Sequence, residues 1–148
     1  MLRPILWATL VAGTLDILAA FVFAGAVVPV LRTVASGPLG DGLADGPAGA
    51  LLGLLVHFAI MAAMAAAYFL AAARLPLLVR MWVIMGLLYG VVLWIVMYWI
   101  VMPLRWDSFT RPSEPIAIAR QLFAHCLLVG LPIAWFARRH FGVRAGLA

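Results

Sequence analysis

The sequence predicts an all-α, polytopic membrane protein with four transmembrane helices in an up-down bundle and both termini on the cytoplasmic side. Of its 148 residues, 68% are hydrophobic and only 10% are charged. Soluble domains are about 45–50% apolar and about 25% charged, so a soluble chain of this length could not bury so much apolar surface. The period-2 alternation of a transmembrane β-barrel is absent, and the length suits one domain over residues 1–148.

Four apolar segments are long enough to cross a bilayer, because a spanning helix needs about 20 residues for a hydrocarbon core of about 30 Å. They cover residues 4–31, 48–73, 81–103 and 116–136. The first two exceed the minimum length, so tilted helices or interfacial ends are expected. The connection over residues 32–47 is rich in glycine and also contains proline, which predicts an exposed loop built from turns.

The two remaining connections and one proline complete the predicted elements. Residues 74–80 should form a tight turn around Pro76, which makes the second and third helices antiparallel neighbours. Residues 104–115 carry charges of both signs and are expected to form a loop. Pro132 removes one backbone hydrogen bond from the fourth helix, so a kink is expected there.

The arginine distribution predicts the orientation. All ten basic residues are arginine, and the positive-inside rule favours the side with more of them. With the N-terminus inside, the cytoplasmic arginines are Arg3, Arg74, Arg80, Arg138, Arg139 and Arg144, and the outer ones are Arg32, Arg105, Arg111 and Arg120. This basic inner face suits anionic lipid rather than nucleic acid, since no soluble basic module is present.

Aromatic residues agree with that orientation, because Trp and Tyr concentrate at membrane interfaces. The inner belt is predicted to contain Trp7, Trp82 and Trp135, and the outer belt Tyr98, Trp99 and Trp106. Cys126 is the only cysteine, which excludes an internal disulfide.

Asp16 is the most informative residue, because it is the only ionisable side chain in the middle of an apolar span. A carboxylate at that depth costs at least about 2.5–3.5 kcal/mol on insertion scales, which makes it a candidate functional group. Counting about 1.5 Å per residue places His57 and His125 at a common depth of about 13–14 Å, and Asp16 and Tyr89 at about 18–22 Å. The sequence therefore predicts a His57–His125 pair and, about one turn deeper, an Asp16–Tyr89 pair.

Small residues recur at helical spacing in the first three spans. Thr9, Gly13 and Asp16 share one face of the first span, and Gly86 and Gly90 form a GxxxG motif in the third. In the second span, Gly49, Gly53, His57, Met61 and Met64 fall near one stripe. Small faces let helix backbones approach closely in lipid, so these patterns predict a compact bundle or a homo-oligomer.

Several short segments resemble one family of proteins. They are residues 8–16 (ATLVAGTLD), residues 34–40 (VASGPLG), His57-Phe58, and residues 130–134 (GLPIA). Together they are similar to small bacterial inner-membrane proteins of the YagU-like kind. The resemblance implies a four-helix, multi-pass protein of the bacterial inner membrane, with no catalytic residue to transfer.

The sequence supports three hypotheses about function and one variant. The motifs GxSxG, HExxH and CxxC are absent, so the leading one is a non-enzymatic accessory component of a larger membrane complex, with no metal site. A second is a haem-b protein for electron transfer with His57 and His125 as axial ligands, although Gly13, Gly86 and Gly90 are expected to lie deeper than the ring would. A third is a proton or small-solute pathway through Asp16, Tyr89 and the histidines. A weaker variant is a Cu(I) site of His57, Met61 and Met64.

Overall fold

The structure, a computed structural model, describes residues 1–142 and is helical throughout its regular elements. The elements are α1 (Leu2–Ala24), α2 (Val28–Leu39), α3 (Asp41–Ala44), α4 (Gly49–Ala72), α5 (Pro76–Arg80), α6 (Trp82–Arg105) and α7 (Pro115–Gly142). Four of them, α1, α4, α6 and α7, are long and apolar enough to cross a membrane. The predicted all-α fold with four helices of membrane-spanning length is confirmed, and Arg144 lies outside the described residues.

The first span is shorter than predicted. Gly25 ends α1 in a left-handed conformation, with φ of 64°, and a new helix starts at Val28 with Pro29 in its first turn. Glycine adopts this conformation without the steric penalty of a Cβ, and proline suits a helix start. Residues 25–31 therefore leave the first span and begin a separate element.

The prediction of an exposed loop over residues 32–47 is wrong, because α2 and α3 occupy most of it. Leu31, Ala35 and Ser36 form a buried face of α2, and α2 packs along α4. At Gly53 of α4 the helices touch so closely that a Cβ would overlap the Leu31 carbonyl. The density of glycine and proline indicated turns, whereas packing against α4 stabilises a helix.

Arg105, at the end of α6, fixes the far end of α2. Its Nε donates to the carbonyl oxygens of Ser36 (3.0 Å) and Gly37 (2.8 Å), and its Nη2 donates to Ser36 O (2.8 Å). Nη2 also pairs with Asp41 Oδ1 at 3.4 Å. These carbonyls belong to the last turn of α2, where a cation is favoured by the helix dipole.

Helices α6 and α7 approach each other closely through their glycines. A Cβ on Gly90 would overlap the Cys126 backbone and the His125 carbonyl, and one on Gly130 would overlap the Gly86 carbonyl. Since Gly86 faces Gly130 and Gly90 faces Cys126, the two helices are antiparallel. The GxxxG face of the third span thus packs against the fourth span of the same chain.

The core forms where α7 meets α1 and α4. Its fully buried members include Ala8 and Ala12 of α1, Phe69 of α4, and Ile133 and Ala134 of α7, each 0% exposed. Small residues on α1 and α7 let these helices approach α4 closely.

Helices α6 and α7 each contain a wider, π-helical segment. These segments are Val96–Val101 and Ala124–Gly130, and a proline, Pro103 or Pro132, follows each of them by two residues. Proline has no N–H and crowds the preceding turn, so the helix widens before it. The distortion expected from Pro132 takes the form of this widened turn.

We expect Gly90→Ala to lower the free energy of unfolding by about 1–3 kcal/mol, because the added methyl must push α6 away from the α7 backbone. The measurement is equilibrium unfolding in mixed detergent micelles. Gly42→Ala is the matched control, since nothing lies within 4 Å of its new Cβ. Equal stability of both variants would show that the α6–α7 contact is looser than described.

Candidate functional site

Polar side chains of the other three long helices lie within electrostatic range of Asp16. Asp16 of α1 interacts electrostatically with His125 of α7 and, more weakly, with His57 of α4. Tyr98 of α6 in turn interacts with Asp16. We call these four residues the Asp16 cluster.

His57 is positioned by the tight contact between α1 and α4. Its Nε2 lies 2.8 Å from the carbonyl oxygen of Gly13, and its ring edge packs on Phe58 with centroids 5.3 Å apart. Gly13 is required for this approach, because a Cβ there would lie 2.7 Å from Phe58 Cε1. Gly13 and Asp16 are three residues apart, so they share a face of α1 and His57 is held beside the carboxylate.

A carbonyl oxygen only accepts hydrogen bonds, so the contact fixes the state of His57. Nε2 must carry the hydrogen, and in the neutral ring Nδ1 keeps its lone pair. His57 is 6% exposed, and among the described residues no protein group hydrogen-bonds to Nδ1. Nδ1 is therefore the atom of His57 that can take up a proton.

His125 has the opposite arrangement. Its Nδ1 lies 2.9 Å from the backbone carbonyl of Gln121, one turn earlier in α7, so Nδ1 carries the hydrogen and Nε2 can take up a proton. The Gln121 side chain accepts a hydrogen bond from Trp94 Nε1 at 3.0 Å. The Tyr98 ring lies 6.0 Å from the His125 ring, centroid to centroid. A Trp94–Tyr98 turn of α6 thus faces a Gln121–His125 turn of α7.

Tyr98 and His125 each lie in one of the two π-helical segments. A π-helical turn shifts the later side chains around the helix, and such turns are frequent at functional sites. Here the two widened turns bring the Tyr98 and His125 rings within 6.0 Å of each other, centroid to centroid.

Tyr89 lies outside the cluster, contrary to the predicted Asp16–Tyr89 pair. Its hydroxyl donates to the Met64 carbonyl of α4 at 2.7 Å, and its ring packs on Tyr68 with centroids 5.0 Å apart. Helix α1 packs on α4 and α7 rather than on α6, so the middle of α6 does not reach Asp16. Tyr98, more than two turns further along α6, takes the place expected for Tyr89.

Sequence reasoning misses three of these side chains. It assigns Tyr98 to the outer aromatic belt, and it does not single out Trp94 or Gln121. The spacing in the sequence does carry a signal for them. Trp94 and Tyr98 are four residues apart, as are Gln121 and His125, so each pair shares one helix face.

The predicted depth is wrong for two of the three glycines. Gly13 lies at the level of His57, and Gly90 touches the backbone of His125, whereas Gly86 faces Gly130, more than one turn beyond His125. At Gly13 and at Gly90 the missing side chain lets a neighbouring helix pack closely, so no space is left there for a cofactor. This packing, together with the engaged Nε2 of His57, argues against a porphyrin ring between the two histidines.

One further polar group lies on the Asp16 face of α1. The Thr9 hydroxyl is buried and has no hydrogen-bond partner among the described residues, and the residue is 6% exposed. Thr9 lies seven residues before Asp16, about 10 Å along the helix. Seven residues after Asp16, the Phe23 ring lies 5.6 Å from the guanidinium carbon of Arg120. Thr9, Asp16 and Phe23 therefore form one line along α1.

No family model matches the chain, and no curated protein or solved structure shows significant similarity to it. The resemblance to YagU-like proteins stays a prediction. Among residues 1–142, no group of three or more His, Cys, Asp and Glu side chains is arranged to hold a metal ion.

The hydrogen bonds predict different tautomers for the two histidines. In the neutral state His57 should carry its hydrogen on Nε2 and His125 on Nδ1, because each of these atoms faces a carbonyl oxygen. Solid-state NMR of ¹⁵N-histidine-labelled protein in lipid distinguishes the two forms, with His57→Gln and His125→Gln for assignment. Identical tautomers at both sites would contradict the proposed geometry.

Proposed function

We propose that this protein binds protons within the membrane and passes them through the Asp16 cluster. The observation that supports this is that two imidazoles lie within electrostatic range of one carboxylate, and that each imidazole has one ring nitrogen without a hydrogen bond to residues 1–142. Ionisable groups inside a membrane are costly and mark proton relays when they face one another. Here the three groups come from three different helices.

The chemistry is proton transfer between fixed sites. Protonation of His125 at Nε2 or of His57 at Nδ1 makes an imidazolium, which an ionised Asp16 stabilises by charge attraction. Transfer of that proton to the carboxylate leaves both partners neutral, so the cluster alternates between an ion pair and a neutral pair. The carbonyls of Gly13 and Gln121 keep each ring oriented through both states.

The line of residues along α1 supports a route to and from the cluster. Arg120 lies over Phe23 at one end of the line, beyond Asp16. At the other end the unpartnered hydroxyl of Thr9 is available to a water molecule that continues the relay. Protons would thus enter between α1 and α7 and leave toward the start of α1.

The finer architecture is part of the same proposal. We infer an up-down bundle in a bacterial inner membrane with the N- and C-termini inside, supported by the six arginines assigned to that side and by the aromatic belts. In this orientation Arg120 lies toward the outer side and Thr9 toward the cytoplasm.

Topology reporters test that orientation. A reporter fused at residue 1 and one fused at residue 148 should both give the cytoplasmic signal in bacterial cells, because of the arginine excess on that side. A periplasmic signal from either fusion would overturn the assignment, and a fusion in residues 107–114 serves as the outer-side control.

Asp16→Asn should abolish proton passage without unfolding the protein. The amide keeps the shape and can still form hydrogen bonds, but it cannot ionise. In proteoliposomes with a trapped pH-sensitive dye, the proton flux should fall at least about 100-fold, the lower range for losing a positioned proton-transfer group. Circular dichroism and gel filtration should match the wild-type protein.

Two control pairs sharpen this test. Thr14 is an exposed polar residue about 200° around α1 from Asp16, so Thr14→Val should leave the flux unchanged. Tyr98→Phe should lower the flux, whereas Tyr89→Phe should not, since Tyr89 bonds to Met64 instead. Wild-type flux in Asp16→Asn, or none in the parent, would contradict the proposal and favour an accessory component whose polar groups only stabilise the bundle.

A further inference from the structure

A second feature lies along the part of α7 that follows the Asp16 cluster. An open groove of about 540 Å³ runs along the surface of α7 between α1 and α6. Leu127, Leu131 and Trp135 of α7 line its length, with Val11 of α1 on one side and Trp82 of α6 on the other.

Two arginines stand at one end of this groove. The guanidinium carbon of Arg138 lies 5.6 Å from the centre of the Trp82 ring, and that of Arg139 lies 4.9 Å from the Trp135 ring. Both arginines are exposed, and among residues 1–142 no acidic side chain forms an ion pair with either. Stacking on the two indole rings therefore places both guanidinium groups at one end of the apolar groove.

We propose that the groove binds one anionic phospholipid, with its phosphate at Arg138 and Arg139 and an acyl chain along α7. Guanidinium groups bind phosphate by paired hydrogen bonds, and arginines near a membrane surface attract anionic lipid. Leu127 lies eight residues before Trp135, so the groove extends about 12 Å from the arginine end toward the membrane interior. This is the direction in which a lipid chain runs from its headgroup.

The lining favours a lipid chain over a helix of a second copy. Helix contacts in membranes use small residues that let backbones approach, whereas Trp82, Leu131 and Trp135 are large. The small residues nearby, Gly86 and Gly130, already face each other in the α6–α7 contact. A flexible chain fits between bulky side chains where a helix backbone does not.

Lipid retention tests the site. The full chain is reconstituted into vesicles of equimolar phosphatidylglycerol and phosphatidylcholine, released into mild detergent and weighed by native mass spectrometry. Each arginine near the surface raises anionic-lipid binding about fivefold, so wild-type protein should retain phosphatidylglycerol at least about tenfold over phosphatidylcholine. Arg138→Gln with Arg139→Gln should reduce this preference to near unity.

Two further variants make the outcomes distinguishable. Arg3→Gln with Arg74→Gln removes the same charge from exposed positions outside the groove and should keep the preference. Leu127→Trp fills the groove at a residue that is 43% exposed, keeps both arginines and should lower retention of phosphatidylglycerol. The proposal would be overturned if the wild type retained both lipids equally, or if the Arg3/Arg74 control lost the preference as fully as the Arg138/Arg139 variant. It would also be overturned if Leu127→Trp kept its phosphatidylglycerol, or if the wild type formed a dimer that Leu127→Trp dissociates.

Discussion

The close approach of α6 to α7 at their glycines is the contact on which the rest of the bundle depends. Lipid gives no hydrophobic drive for one helix to join another, so backbone proximity and interhelical hydrogen bonds decide which faces meet. With Gly90 against the backbone of His125 and Cys126, the register of the two helices is fixed. That register places Trp94 opposite Gln121 and Tyr98 beside His125.

The prolines act together with this contact. Pro103 and Pro132 each come after a widened π-helical segment, and the two segments contain Tyr98 and His125. A regular α-helix would present different residues at these points, because each widened turn rotates the later side chains around the helix axis. The distortion that two prolines impose on the backbone therefore also sets the composition of the Asp16 cluster.

The two ends of α7 have different chemistry. Toward its start, His125 lies near Asp16 and bonds to the Gln121 carbonyl, whereas its final turns carry Arg138 and Arg139 beside an open apolar groove. Helix α7 packs against α1, α4 and α6, so both features depend on one central element.

The sequence by itself determined the four long apolar helices and identified Asp16 as a candidate functional residue, because length, hydropathy and the cost of a buried charge act locally and need no knowledge of neighbours. It did not determine the amphipathic helix α2, whose stability comes from contact with Gly53 and Arg105, residues distant in the chain. Nor did it choose Tyr98 over Tyr89 as the partner of Asp16. That choice depends on helix register and on which helices are neighbours, and both are set by packing between segments that no single segment encodes.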